Sequence, residues 1–126
     1  ALAQAGLGRV RLVDPDAARA AALANLIGAS SAARVDIGAP DTLAPYNLVV
    51  NATAIGYDGQ QTVFPLDTVA AGSLVADVLA RSEKTAWLRE AEGRGCAIQD
   101  GAAMAEAQFD LIARRFGLSG VAIGAL

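Results

Sequence analysis

Basic and apolar residues alternate over Arg9-Val10-Arg11-Leu12-Val13, the period of a half-buried strand, and the run stops at Asp14-Pro15. Pro15 fits the first turn of a helix, where a missing N–H costs nothing. From Asp16 to Ile27 the alanines recur with Leu23, Leu26 and Ile27 at helical spacing, and Gly28 is the expected stop. Val35 to Ile37 makes a short strand candidate among small residues, and Asp41 to Ala44 fits one helical turn before Pro45. Asn47-Leu48-Val49-Val50-Asn51 holds an unbroken apolar run between asparagines, as in a strand covered on both faces. A polar, glycine-bearing loop over 54–62 and a connecting turn or short helix over 65–70 follow. Ser73 to Leu79 then reads as a second buried strand with Asp77 near its end. Lys84 to Glu92 has the pattern of an amphipathic helix closed by Gly93 and Gly95, and Cys96 to Gln99 that of a last strand. Asp100-Gly101 suggests a sharp turn, and Ala102 to Phe116 a long helix ended by Gly117. This repeated order of strand and helix predicts an α/β fold with a parallel sheet.

Composition narrows the chemistry. Hydrophobic residues make up 54% of the 126 positions while aromatics make up 5%, so the core is built from small aliphatic side chains in regular layers. Only 18% of the chain is charged, which excludes a disordered tail, and the length admits one domain but no second full one. A net charge of −3 without a dense basic cluster gives no purchase on a phosphate backbone, so nucleic acid is not an expected partner. Charge or glycine breaks the apolar runs short of a membrane span, and Ala1 to Gly8 lack the basic start of a secretory signal. A soluble cytoplasmic protein is the expectation. The chain has no histidine and a single cysteine, Cys96. That excludes within it a disulfide, a Cys/His zinc site, a serine triad with a histidine base and a Cys/His nucleophile pair. Cys96 lies in Cys96-Ala97-Ile98 and reads as a small core residue rather than a reactive thiol.

In a parallel α/β sheet, ligands settle outside the carboxyl ends of the strands. The residues at those points are Asp14, the Asn51-Ala52-Thr53 turn, Asp77 and Asp100-Gly101. Each also has a purely structural reading: an aspartate after a strand caps a helix as readily as it binds a ribose, and Asn51 with Thr53 can satisfy loop backbone. Their succession along one chain singles them out.

The segments Leu12-Val13-Asp14-Pro15-Asp16-x-x-Arg19-Ala20, Val49-Val50-Asn51-Ala52-Thr53-x-x-Gly56, Val75-Ala76-Asp77-Val78 and Asp100-Gly101-x-x-Met104-x-x-x-Gln108 come in that order. Together they resemble the cofactor-binding domain of the shikimate/quinate dehydrogenase family over nearly the whole chain. The resemblance implies a Rossmann-like, doubly wound parallel sheet, with residues 1–126 forming a partial dinucleotide-binding domain. It implies an NAD(P)-dependent hydride transfer between a cyclic hydroxy acid and its ketone. It places cofactor contacts at Asp14, Pro15, Asp16, Arg19, Asn51, Thr53, Val78 and Gly101, and substrate contacts at the positions of Ala80 and Gln108. No catalytic residue is expected in this chain, because the family's catalytic lysine and aspartate lie in a separate N-terminal substrate domain. Lys84, the only lysine, matches no catalytic position and reads as a solvated helix residue.

The family's first strand and its glycine-rich phosphate loop have no counterpart here, since Ala1 to Gly6 match the end of the helix that follows that loop. Without a central strand its neighbours leave backbone groups unpaired at about 1–3 kcal/mol each, against a whole-domain stability of about 5–15 kcal/mol. The sequence is therefore expected to be the latter part of a longer chain and inactive by itself.

Asp14 bears on the choice of cofactor. A carboxylate there accepts hydrogens from both ribose hydroxyls of NAD and repels the 2′-phosphate of NADP. Family members that use NADP carry Asn-Arg-Thr where this chain has Asp14-Pro15-Asp16, and a single cation at Arg19 does not reverse the added negative charge. NAD is thus expected ahead of NADP. On the substrate side, the family's Asp-Val-Val-Tyr-Asn-Pro is replaced by Asp77-Val78-Leu79-Ala80-Arg81-Ser82, so a tyrosine hydroxyl is lost at Ala80. Ala103 and Tyr57 replace a common glycine and methionine. Gln108 keeps the glutamine that bonds a substrate hydroxyl, and Gly101 the glycine that approaches the nicotinamide. A non-catalytic nucleotide-binding or interaction module on the same fold is the alternative.

Overall fold

Strand β1 (Arg9–Leu12), helix α1 (Ala17–Ser30) and strand β2 (Arg34–Ile37) open the computed structural model, which describes residues 6–117. The strands pair in parallel, with Arg9 opposite Arg34 and Leu12 opposite Ile37. Because side chains alternate, Arg9, Arg11, Arg34 and Asp36 share one face and Val10, Leu12, Val35 and Ile37 the other. Asp36 lies 2.8 Å from Arg9 Nε, 3.4 Å from Arg34 Nε and 3.8 Å from Arg11 Nη2. The hydrogen bond from Arg9 holds the Asp36 carboxyl below the usual carboxylate range, with the three positive charges acting the same way against partial desolvation.

Two details of α1 differ from the sequence expectation. Asp16 is the N-cap, its Oδ1 accepting the N–H groups of Ala18 (3.0 Å) and Arg19 (3.1 Å), so Pro15 precedes the cap instead of opening the first turn. The helix also runs through Gly28 to Ser30. Serine hydroxyls close it: Ser30 Oγ donates to the Leu26 carbonyl (2.9 Å) and Ser31 Oγ to that of Ile27 (3.0 Å), satisfying the last carbonyls without a glycine.

The chain divides into two compact units between Asp41 and Thr42. The second unit starts with a turn closed by the Tyr46 N–H on the Leu43 carbonyl (2.9 Å), where the sequence suggested a helical turn over 41–44. Leu43 is buried and its N–H is taken by Thr68 Oγ1 at 2.7 Å, which leaves no intrahelical bond to build on. Strands β3 (Leu48–Asn51), β4 (Leu74–Asp77) and β5 (Ala97–Gln99) form a parallel sheet in that order, Asn51 beside Asp77 and Ala76 beside Gln99. Helix α2 (Ala86–Gly93) connects β4 to β5, and α3 (Gly101–Arg115) follows β5. Val49 and Asn51 are buried while Val50 is 39% exposed, so β3 is covered on one face rather than both. Residues 65–70 form a turn, not a helix, around the fully buried Leu66.

Trp87 and Leu88 of α2 pack with Leu43, Val49, Leu66, Val75, Ala91 and Cys96 into one core. Trp87 donates from Nε1 to the Phe64 carbonyl (3.1 Å) and meets the Phe64 ring edge-on at 5.5 Å. Cys96 is buried there, in line with its reading as a core residue. Gly93 is helical, and it is Gly95, at φ +77°, that turns the chain into β5. Asp100 caps α3 by accepting the Ala103 N–H (2.8 Å), which makes Gly101 the first helical residue rather than part of a separate turn. Lys84 precedes α2 and pairs with Glu92 at 2.8 Å across the helix.

Every strand pair is parallel and helices follow β1, β4 and β5, while β2, β3 and β4 succeed one another with only turns between them; the α/β, Rossmann-like expectation is borne out as two incomplete sheets. Among the described residues no helix is long and apolar enough to cross a membrane.

Candidate functional site

The carboxyl end of β1 leads within two residues to Asp14, which is half-buried and accepts the Asp16 N–H on Oδ1 at 2.8 Å. This Asx turn fixes the carboxylate's direction and leaves Oδ2 without a hydrogen-bond partner among the described residues. Pro15 and Asp16 are exposed beside it. Arg19 is 74% exposed and lies 3.6 Å from Asp16 Oδ2, so its charge is shared with the capping aspartate.

The carboxyl ends of β3 and β4 carry a denser arrangement. Asn51 is 1% exposed. Its Nδ2 donates to the Ile55 carbonyl (3.0 Å) and to Asp77 Oδ1 (3.1 Å). Its Oδ1 accepts both the N–H (3.0 Å) and the hydroxyl (2.7 Å) of Thr53. All four hydrogen-bonding places of the amide are therefore filled internally. Asp77 is fully buried and accepts three donors: Asn51 Nδ2, the Leu79 N–H (3.1 Å) and, on Oδ2, the Thr85 hydroxyl (2.9 Å). Thr85 is also the N-cap of α2, accepting the Leu88 N–H at 3.3 Å. One chain of bonds thus runs from the cap of α2 through Asp77 and Asn51 into the turn after β3.

Gly101 stands against the backbone that leaves β4. A Cβ on it would lie 2.4 Å from the Val78 carbonyl oxygen and 2.5 Å from the Leu79 carbonyl carbon. The start of α3 and the 78–79 peptide can approach this closely only with glycine. A polar cavity of about 190 Å³ opens at the same end of the sheet, lined among others by Leu79, Arg81, Lys84, Thr85 and Asp100. A second cavity of about 200 Å³, beside Tyr46, Asn47 and Ser73, lies at the amino end of the strands, away from where such sheets take ligands.

No family model matches the sequence. Individual relatives do. A shikimate dehydrogenase (NADP(+)) of Ruegeria sp. (strain TM1040) is 34% identical over 104 residues, 82% of this chain and 38% of the relative, and one of Methylobacterium radiotolerans is 38% identical over 104 residues. Shikimate 5-dehydrogenase of Thermus thermophilus, solved with NADP(H) and shikimate, matches 94% of this chain with a TM-score of 0.73 and 29% identity. The chain is similar to shikimate dehydrogenases over 82% of its residues. It spans less than half of these relatives, 38% of the Ruegeria protein and 42% of the Thermus chain. A ligand-free 5-ketofructose reductase of Gluconobacter sp. strain CHM43 matches 90% of this chain and 43% of its own, with a TM-score of 0.81 and 28% identity.

The chain presents its sequence-predicted residues in two groups. Asp14, Pro15, Asp16 and Arg19 gather at the β1–α1 turn of the first unit. Asn51, Thr53, Val78, Ala80, Gly101 and Gln108 belong to the second. Of these, Thr53, Val78, Ala80 and Gln108 are exposed, Gln108 two turns into α3 without a hydrogen-bond partner among the described residues. Asn51 is closed off, its side chain spent on shaping the turn. Sequence reasoning passed over Thr85, although a threonine directly before a helical apolar run is an N-cap signal. It also noted Arg81 only as a departure from the family pattern. Arg81 Nη1 donates to the Tyr57 carbonyl, its guanidinium lies 5.7 Å from the Tyr57 ring, and together they tie the 55–61 loop to the segment after β4. Within that loop, the N–H groups of Gln61 and Gln60 hold the Asp58 carboxyl below the usual range, with the charge of Arg81 acting in the same direction.

Proposed function

We propose that this chain supplies the dinucleotide-binding part of an oxidoreductase that transfers hydride between a cyclic hydroxy acid and its ketone. The observation that carries the reading is the polar series at the carboxyl ends of parallel strands: Asp14 after β1, Asn51 and Asp77 ending β3 and β4, and Asp100-Gly101 after β5. The Asp14 Oδ2 suits a ribose hydroxyl, being a partnerless acceptor whose direction is set by its own turn. When bound, the nicotinamide would supply the hydride; the chain would orient it and exclude water around it. The substrate domain belongs, on this reading, to the length of the relatives that this chain does not span. The decisive experiment is hydride transfer by the full-length protein with a panel of cyclic hydroxy acids and each cofactor. Dinucleotide binding without transfer to any of them would leave a binding module instead.

NAD is the cofactor this reading favours. The named relatives are NADP(+) enzymes. Here, however, two carboxylates stand at the β1–α1 turn and Arg19 is paired with Asp16. Replacing Asp14 with Asn and Pro15 with Arg should raise the NADP-to-NAD ratio of kcat/KM, by removing repulsion and adding a phosphate partner. A wild-type preference for NADP would end the role given to Asp14.

Gln108 acts on the substrate in this proposal, since its exposed amide can give one bond and accept another from a ring hydroxyl. Gln108→Ala should weaken substrate binding by about threefold to tenfold, the worth of one neutral hydrogen bond, about 0.5–1.5 kcal/mol. Dinucleotide affinity should hardly move. Loss of NAD or NADP binding with an unchanged substrate KM would assign the residue to the other ligand.

A further inference from the structure

Asp77 is the only fully buried carboxylate among the described residues, and the function proposed above gives it no contact with a ligand. Its environment contains three donors and no cation: the Asn51 amide, the Leu79 N–H and the Thr85 hydroxyl. Such a group costs folding free energy to bury and is retained only where every lone pair is used. Two of its donors belong to the sheet end and the start of α2. The third is the amide that holds the turn after β3.

The bonds lead in one direction. Asn51 must present Nδ2 to Asp77 and to the Ile55 carbonyl, which fixes the amide's orientation and turns Oδ1 toward the Thr53 N–H and hydroxyl. The Thr53 hydroxyl, held by that bond, in turn accepts the Ile55 N–H at 3.0 Å. Without the acceptor at Asp77 Oδ1, one Nδ2 hydrogen of a buried amide has no partner, and the amide is free to rotate and release Thr53. We propose that Asp77 is a positioning residue: through Asn51 it fixes the 53–55 turn in the shape that meets the dinucleotide. The proposal rests on the dinucleotide reading above for its ligand, and on geometry alone for its effect on the turn.

Asp77→Asn and Asp77→Ala separate this role from one of bulk stability. In Asp77→Asn the side-chain carbonyl faces the two converging donors, Asn51 Nδ2 and Leu79 N–H, while its NH2 faces the Thr85 hydroxyl, which can accept. Asn51 therefore stays held, and dinucleotide affinity should stay near wild type. Asp77→Ala strands a buried donor and should weaken dinucleotide binding by about tenfold or more. Binding of NAD and of NADP to the full-length protein is read by calorimetry, and amide exchange at Thr53 and Ile55 by NMR without ligand. Both amides should exchange faster in Asp77→Ala and not in Asp77→Asn. Should Asp77→Ala fail to fold, Asp77→Ser carries the test: its shorter side chain stays polar but withdraws the oxygen that meets Asn51 Nδ2, so exchange at Thr53 and Ile55 should rise and affinity should fall. A folded Asp77→Ala protein with a lower Tm but unchanged affinity and unchanged exchange at these two amides overturns the proposal, as does Asp77→Ser with neither change. If the unmodified protein binds neither NAD nor NADP, the dinucleotide reading fails. The exchange measurement then still decides whether Asp77 fixes the turn.

Discussion

Trp87→Ala should lower the stability of the protein by about 3–5 kcal/mol, the range for emptying a fully packed aromatic site. Trp87 is 1% exposed, sits at the centre of the second unit's core and meets the edge of Phe64. Truncation removes that contact, leaves a cavity among Leu66, Val75 and Leu88, and strands the Phe64 carbonyl that now accepts the indole N–H. Aromatics are only 5% of the sequence, so few other large side chains can move in to fill the space. Urea unfolding followed by circular dichroism gives the measurement. A midpoint within error of wild type would mean that α2 is not anchored through this side chain. Because Thr85 is the N-cap of α2 and donates to Asp77, a partial loss of helix anchoring should also appear as faster exchange at the amides near Asp77.

Gly101→Ala has the second largest expected effect. The added methyl would stand 2.4 Å from the Val78 oxygen and 2.5 Å from the Val78 and Leu79 carbonyl carbons, all of them backbone atoms that cannot rotate aside. Relief requires moving either the start of α3 or the 78–79 peptide, whose N–H groups are held by Asn51 and Asp77. The cost should be about 3 kcal/mol, the upper part of the range for overpacking. Gly101→Ala in the full-length protein should therefore lose stability in denaturant titration before any ligand is added. A stable Gly101→Ala variant whose only defect is in nicotinamide binding would instead support the close approach of cofactor suggested by the family resemblance.

The five strands and three helices were legible because the strands are short runs rich in aliphatic residues and each helix carries its own period, although β2, β3 and β4 follow one another without the helices that strict alternation would place between them. Boundaries failed where side chains competed with backbone signals. Pro15 and Gly28 looked like a start and a stop, but the Asp16 carboxylate and the Ser30 and Ser31 hydroxyls satisfy the helix ends better. The burial of β3 on one face only was hidden, because Val49 and Val50 are the same residue type in different surroundings. At the site, the strand-end positions of Asp14, Asn51, Asp77 and Asp100 could be read from periodicity alone. That Asn51 is saturated, and Gly101 crowded by peptide 78–79, depends on contacts between residues more than twenty apart in sequence, which no local pattern encodes.

The saturation of Asn51 also bears on how such a scaffold can diversify. A side chain whose donors and acceptors are all spent internally is indifferent to what binds beside it, so the turn after β3 can stay the same while the bound substrate changes. Selection for a new substrate would then act on exposed neighbours such as Val78, Ala80 and Gln108, which carry little folding burden.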